Sequence, residues 1–177
     1  IAREVGPLQI VYGGKAHPHD NGGKELIKRI HEAAQRLQGQ VRVVYLENYE
    51  MNLAQLMIPG VDVWLNNPMK PLEASGTSGM KAAINGVPQL SVLDGWWIEG
   101  HVENVTGWSI GDDDDLPVDP SEDINELYYK LERVILPMYY GMPLRFAEVM
   151  RGAIALNGSF FNTQRMMLEY SVKAYSM

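Results

Sequence analysis

Lys70-Pro71-Leu72-Glu73-Ala74-Ser75-Gly76-Thr77-Ser78-Gly79-Met80-Lys81-Ala82-Ala83-Ile84-Asn85-Gly86 lies between two apolar, strand-like runs, Val61 to Leu65 and Pro88 to Leu93. Hydroxyls and glycines come first and a helix-forming run second, which is the order of a strand feeding a loop and then a helix N-terminus. Small residues let backbone N–H groups approach an anion closely, and the helix start adds its positive dipole end. Lys81 falls about one turn into that helix. Its apolar neighbours Ala82, Ala83 and Ile84 disfavour a charged ammonium, the condition for a nucleophilic amine and Schiff-base chemistry. The glycine spacing alone also describes an ordinary capped loop.

Outward from this stretch, strands and helices alternate. Leu8 to Tyr12 reads as a buried strand running into Gly13-Gly14, and Asp20 or Asn21 can cap the helix that follows. Leu26, Ile27, Ile30, Ala33, Ala34 and Leu37 form its apolar stripe, and Gly39 stops it. Val41 to Leu46 is a second strand, Leu53 to Ile58 a short helix, and Val61 to Leu65 and Pro88 to Leu93 the third and fourth strands. This spacing predicts one parallel sheet of βαβ units, with ligands bound outside the carboxyl ends of the strands. The loops of Gly13-Gly14 and Ser75 to Gly79 would lie there.

Beyond the sheet, Gly111 to Asp115 reads as a solvated acidic turn, because the alternating ligands of a calcium loop are absent. Asp119-Pro120-Ser121-Glu122 carries the signals of a helix start, followed by Ile124, Leu127, Tyr128, Leu131 and Val134 on one face. Gly141-Met142-Pro143 breaks it, a further helix runs from about Leu144 to Leu156, and Asn162 can cap the last one. That last helix carries Met166, Met167, Leu168, Tyr170, Val172 and Tyr175, an apolar surface wide enough either to be core or to pack on something outside this chain.

The 177 residues bury one good core, so a single domain over 1–177 is expected. A net charge of -7 argues against a nucleic-acid backbone as partner. No apolar run is long enough for a membrane span. The absence of cysteine excludes a disulfide framework or thiolate metal site and suits a reducing, cytoplasmic compartment. His17 and His19 lie two apart beside Asp20, but no further metal-ligand set is visible, so no metal is assigned.

The run Glu73 to Lys81 resembles the cofactor-lysine signature of the α-glucan phosphorylases. The flanks Asp62-Val63-Trp64-Leu65-Asn66 and Leu93-Asp94-Gly95-Trp96-Trp97 resemble their shorter prokaryotic branch. Further blocks recur in the family's order: Gly13 to Pro18, Glu47-Asn48-Tyr49, Ile58-Pro59, Gly107-Trp108 with Ile110 to Asp112, and Phe161-Asn162-Thr163 with Arg165-Met166. The resemblance implies an α/β fold, the Rossmann-like C-terminal half of a GT-B glycosyltransferase. The family's upstream basic block and its N-terminal domain have no counterpart in these residues, so the chain reads as a C-terminal piece, inactive alone, of an enzyme that is a homodimer in its full-length form.

By the same resemblance, Lys81 holds pyridoxal 5′-phosphate through a Schiff base, and Thr77 and Ser78 bind the cofactor phosphate. Glu73, Ser75 and Gly76 bind the transferred sugar. Tyr49 either lines the cofactor pocket or packs as an ordinary tyrosine, and Lys15 either adds charge to the crevice or stands in solvent. The implied reaction is retaining phosphorolysis of an α-1,4-glucan or maltodextrin by inorganic phosphate, giving α-glucose 1-phosphate. Allosteric control is compatible with it. Two other readings are a non-catalytic sugar-binding or regulatory module of the same fold and a nucleotide-sugar transferase such as a glycogen synthase. The latter class places a second glutamate eight positions after the first, where this chain has Lys81. A module freed from catalysis has no chemical need for the pair Glu73 and Lys81.

Overall fold

The structure, a computed structural model, describes residues 1–111 and 120–175. They group into two compact units, Ile1–Leu56 and Met57–Met177. The aspartates 112–115 and Asp119 fall outside the described residues, and with them the acidic turn and the cap expected there.

In the first unit, β1 (Gln9–Gly13) pairs in parallel with β2 (Arg42–Leu46), from Gln9 opposite Arg42 to Gly13 opposite Leu46, and α1 (Asn21–Arg36) connects them. The Asp20 carboxylate accepts the Gly23 N–H at 2.8 Å, the cap expected from the sequence. Ile27, Ile30, Ala33, Ala34 and Leu37 are partly buried, whereas Leu26, at the margin of the stripe, is exposed. The Tyr45 hydroxyl donates to the Gly14 carbonyl at 2.8 Å, tying β2 to the loop that follows β1. The short α2 (Met51–Met57) comes next.

The second unit holds β3 (Trp64–Asn66), β4 (Gln89–Val92) and β5 (Gly107–Ile110), all parallel, in the order β3-β4-β5. Between them run α3 (Thr77–Ile84) and the single turn α4 (Trp97–Gly100). Every residue of β4 and β5 is buried, as befits parallel strands covered on both faces. Leu90, Val92, Trp108 and Ile110 meet Ile135, Met138, Phe146 and Val149 in the main core. The described strands thus form two parallel sheets where one was expected. The fifth strand was not expected at all: Gly-Trp-Ser-Ile is four residues long, without alternation, and periodicity cannot single it out.

The C-terminal helices depart from a plain α-helical reading. The segment α5 (Pro120–Tyr129) continues through a π-helical stretch, Lys130–Ile135, into α6 (Leu136–Gly141). The Leu136 N–H donates to Leu131 O, five residues back, and the next residue, Pro137, has no N–H to give. Widening the helix just before a proline accommodates that missing donor. It also shifts the phase of the side chains. Leu127, Leu131 and Val134 pack on the core, but Ile124 and Tyr128, expected on the same face, are exposed, and Ile135, Leu136 and Met138 are buried instead.

Met142 breaks the chain before α7 (Pro143–Gly152), which runs into a second π-helical stretch, Ala153–Gly158. The side chain of Asn162 accepts the Arg165 N–H at 2.9 Å and starts α8 (Thr163–Lys173), as expected. No residue of α8 is buried. Among the described residues no helix is long and apolar enough to cross a membrane.

Candidate functional site

Because β3 and β4 are parallel neighbours, the loop after β3 and the turn after β4 emerge at the same edge of the sheet. They are bound together there. The Glu73 N–H donates to Asp94 Oδ2 at 2.9 Å, and the Trp96 N–H donates to the Ser75 carbonyl at 2.8 Å. Asp94 Oδ1 accepts the Gly95 N–H at 2.9 Å, so both carboxylate oxygens are occupied.

Gly76 then turns the chain into α3 with φ 89° and ψ 51°, a left-handed conformation that glycine adopts without a Cβ penalty. The first-turn N–H groups of Thr77 and Ser78 have no intrahelical acceptor, and Gly76 supplies no side-chain cap. The start of α3 is therefore a set of N–H donors, backed by the helix dipole, with no side chain of its own to satisfy them. That composition suits an anion such as a phosphate ester.

Gly79 is required by close approach. A Cβ there would stand 1.8 Å from Gln89 Oε1 and 2.9 Å from Trp96 Nε1. Gln89 is 2% exposed, and its Oε1 has no hydrogen-bond partner among the described residues. The indole of Trp96 also stands 3.2 Å from where a Cβ of Gly76 would be, and meets Phe161 edge-on with ring centroids 5.1 Å apart. A ring buried to 5% exposure thus backs the glycine loop.

The structure brings Glu73, Ser75, Gly76, Thr77, Ser78 and Lys81 together on one loop and helix. Glu73, Ser75, Gly76 and Ser78 are partly buried and Thr77 is exposed. Lys81 departs from its expectation. Ala82 and Ala83 are buried on the side of α3 that faces the unit's interior, while Lys81 is exposed, so its apolar neighbours in sequence do not desolvate it. An i,i+1 neighbour on a helix points about 100° away and cannot shield it. The exposed amine of Lys81 lies one turn along from the uncapped helix start.

Tyr49 and Lys15 belong to the first unit, where Tyr49 is partly buried and Lys15 exposed. His17 Nδ1 accepts the His19 N–H at 3.2 Å, a local loop contact. Sequence reading missed the role of Asp94. Its partner lies 21 residues away, and the only local signal is the Asp-Gly pair that marks a turn.

A second polar cluster sits in the same unit. The Glu103 carboxylate accepts from Lys130 Nζ at 2.7 Å and from the Ser109 N–H at 3.1 Å, and meets His101 Nε2 at 2.9 Å. Burial works to raise Glu103, but the hydrogen bonds of His101, Lys130 and Ser109 and the Lys130 charge outweigh it and hold the carboxyl at about 2, against 4.5 ordinarily. The sign follows from that depression: the stabilisation is complete above the unfolded value and is lost as pH falls from about 4.5 toward 2. With the carboxylate 34% exposed, solvent screening leaves a contribution of about 1–2 kcal/mol. Urea unfolding should show the native chain losing that advantage over Glu103→Gln between pH 5 and pH 2, and parallel pH profiles for the two would refute it.

The sequence profile of the carbohydrate phosphorylases matches residues 2–107. A maltodextrin phosphorylase of Thermococcus litoralis is 46% identical over 173 residues, covering 96% of this chain and 21% of that protein. A glycogen phosphorylase of Aquifex aeolicus is 44% identical, covering 96% of this chain and 25% of that protein. One of Mycobacterium tuberculosis is 40% identical, covering 98% and 21% respectively. The chain spans between a fifth and a quarter of the length of these curated relatives. The match takes in the glycine loop, the lysine helix and the Asp94 turn alike, and on it the chain belongs to the carbohydrate phosphorylase family.

Proposed function

We propose that this chain carries the cofactor lysine and the transferred-sugar contacts of an α-1,4-glucan phosphorylase. The reaction is reversible and retaining: a glucan or maltodextrin and inorganic phosphate give α-glucose 1-phosphate. The fold is the Rossmann-like C-terminal half of a GT-B architecture, working in the cytoplasm. The observation that carries the reading is the uncapped start of α3, with Lys81 one turn along it and Glu73 on the loop before it.

Lys81 would hold pyridoxal 5′-phosphate by its amine. The N–H groups and hydroxyls of Thr77 and Ser78 would hold the cofactor phosphate at the helix start, where the dipole favours negative charge. When bound, that phosphate group supplies proton donation to, and acceptance from, the substrate phosphate. Glu73 accepts hydrogen bonds from hydroxyls of the sugar, and backbone N–H groups at Ser75 and Gly76 donate to them. Such polar contacts are selective, because a sugar lacking one hydroxyl leaves a partner unsatisfied.

Reduction with borohydride in the presence of pyridoxal 5′-phosphate, followed by digestion and mass spectrometry, tests the assignment. In the full-length enzyme that contains this chain, the expected result is one adduct, at Lys81, absent in Lys81→Ala. Labelling scattered over other lysines, with Lys81 unmodified, would overturn it.

A further inference from the structure

We propose that Asp94 is a positioning residue for Glu73: its buried carboxylate fixes the main chain of the glycine-rich loop at Glu73, so that the Glu73 side chain faces the sugar. This deepens, and rests on, the reading of Glu73, Ser75 and Gly76 as sugar contacts.

Asp94 is 6% exposed and spends both oxygens on backbone donors, the Glu73 N–H across the loop and the Gly95 N–H in its own turn, each at 2.9 Å. No cation bridges it among the described residues, so these dipoles are what the structure offers a charge removed from water. Carboxylate and loop therefore depend on each other. At 6% exposure, and with each oxygen already turned to a backbone donor, Asp94 presents little surface to a ligand. It acts through the residue it holds.

The second bond across the gap, from the Trp96 N–H to the Ser75 carbonyl at 2.8 Å, comes from the same turn. Together they fix the Leu72–Glu73 and Ser75–Gly76 peptide planes, at the two ends of the Glu73 to Ser75 segment. Freeing the first leaves the loop attached at Ser75 but able to rotate at Glu73, which moves a side chain without unfolding a sheet. Misplacing a contact group by about 1 Å is enough to lower turnover substantially.

Asp94→Asn preserves volume but turns an amide donor toward one of two N–H donors. Two measurements on the holoenzyme test its effect. In amide exchange, the Glu73 N–H should exchange about ten-fold faster in Asp94→Asn, with the melting temperature nearly unchanged. In a double-mutant cycle, Asp94→Asn should lower kcat/KM about ten-fold in the native background and have no further effect in Glu73→Gln, because it acts through that side chain. Unchanged exchange at Glu73, or an equal loss with and without the Glu73 carboxylate, would overturn the inference. Full turnover in Glu73→Gln would instead overturn the sugar-contact reading, and the exchange rates would then decide the clamp by themselves.

Discussion

Gly107→Ala should destabilise the second unit by more than about 3 kcal/mol, and is the substitution expected to do most damage to the fold. A Cβ at Gly107 would stand 2.2 Å from the Gln89 carbonyl oxygen, 3.0 Å from the Gln89 nitrogen and 2.9 Å from Trp97 Cη2. Two of these are main-chain atoms of the central strand, which cannot swing aside as a side chain can. Gly107 is also the residue of β5 that sits opposite Gln89 in the ladder, and its carbonyl accepts the Asn104 N–H at 3.0 Å. Relief therefore requires β5 to leave β4 at its first pair. Urea denaturation of the variant, read by tryptophan fluorescence, should show a midpoint far below that of the native chain. A loss under about 1 kcal/mol would mean that β5 can shift outward without penalty, contrary to the packing described.

Trp96→Ala should lower stability by about 3–5 kcal/mol through the cavity left behind. The ring is 5% exposed and contacts Trp97 at 5.2 Å and Phe161 at 5.1 Å between centroids. Its second consequence is local. The indole is the wall against which the loop from Gly76 to Gly79 rests, so that loop should lose amide protection beyond what the global loss explains. Trp96→Phe, which keeps an aromatic face but not its reach, should fall between the two in both readouts. Equal protection of the loop in Trp96→Ala and the native chain, compared at matched global stability, would remove Trp96 from its role as backing.

Much of this arrangement was legible in the sequence where the signal is local. Asp20 and Asn162 cap the helices they precede because a side-chain oxygen three residues before an N–H is a contact within one turn. The strand, glycine loop and lysine helix also follow from order alone. What was not legible depends on distant partners or on phase. Asp94 meets Glu73 only because two parallel strands end side by side. The burial of Ile135, Leu136 and Met138 in place of Ile124 and Tyr128 spans a π-helical stretch, which a constant period of 3.6 residues cannot anticipate. Lys81 stands exposed because Ala82 and Ala83 point to the interior, and Ile84, one turn further along the same face, is itself exposed. The division of the strands between two sheets is likewise a matter of which strands meet, and hydropathy does not specify it.

The pairing of β3 with β4 covers only three residues, Trp64 to Asn66 against Gln89 to Ser91. A ladder that short says little about its own alignment, and a slip of two residues would preserve the inside-outside alternation while displacing β3 by roughly 6.6 Å. Such a slip would pull Glu73 away from Asp94 and Ser75 away from Trp96. The two hydrogen bonds across the loop therefore discriminate between sheet alignments that the strands themselves scarcely distinguish. The alignment of β3 on β4 and the shape of the loop therefore hold one another.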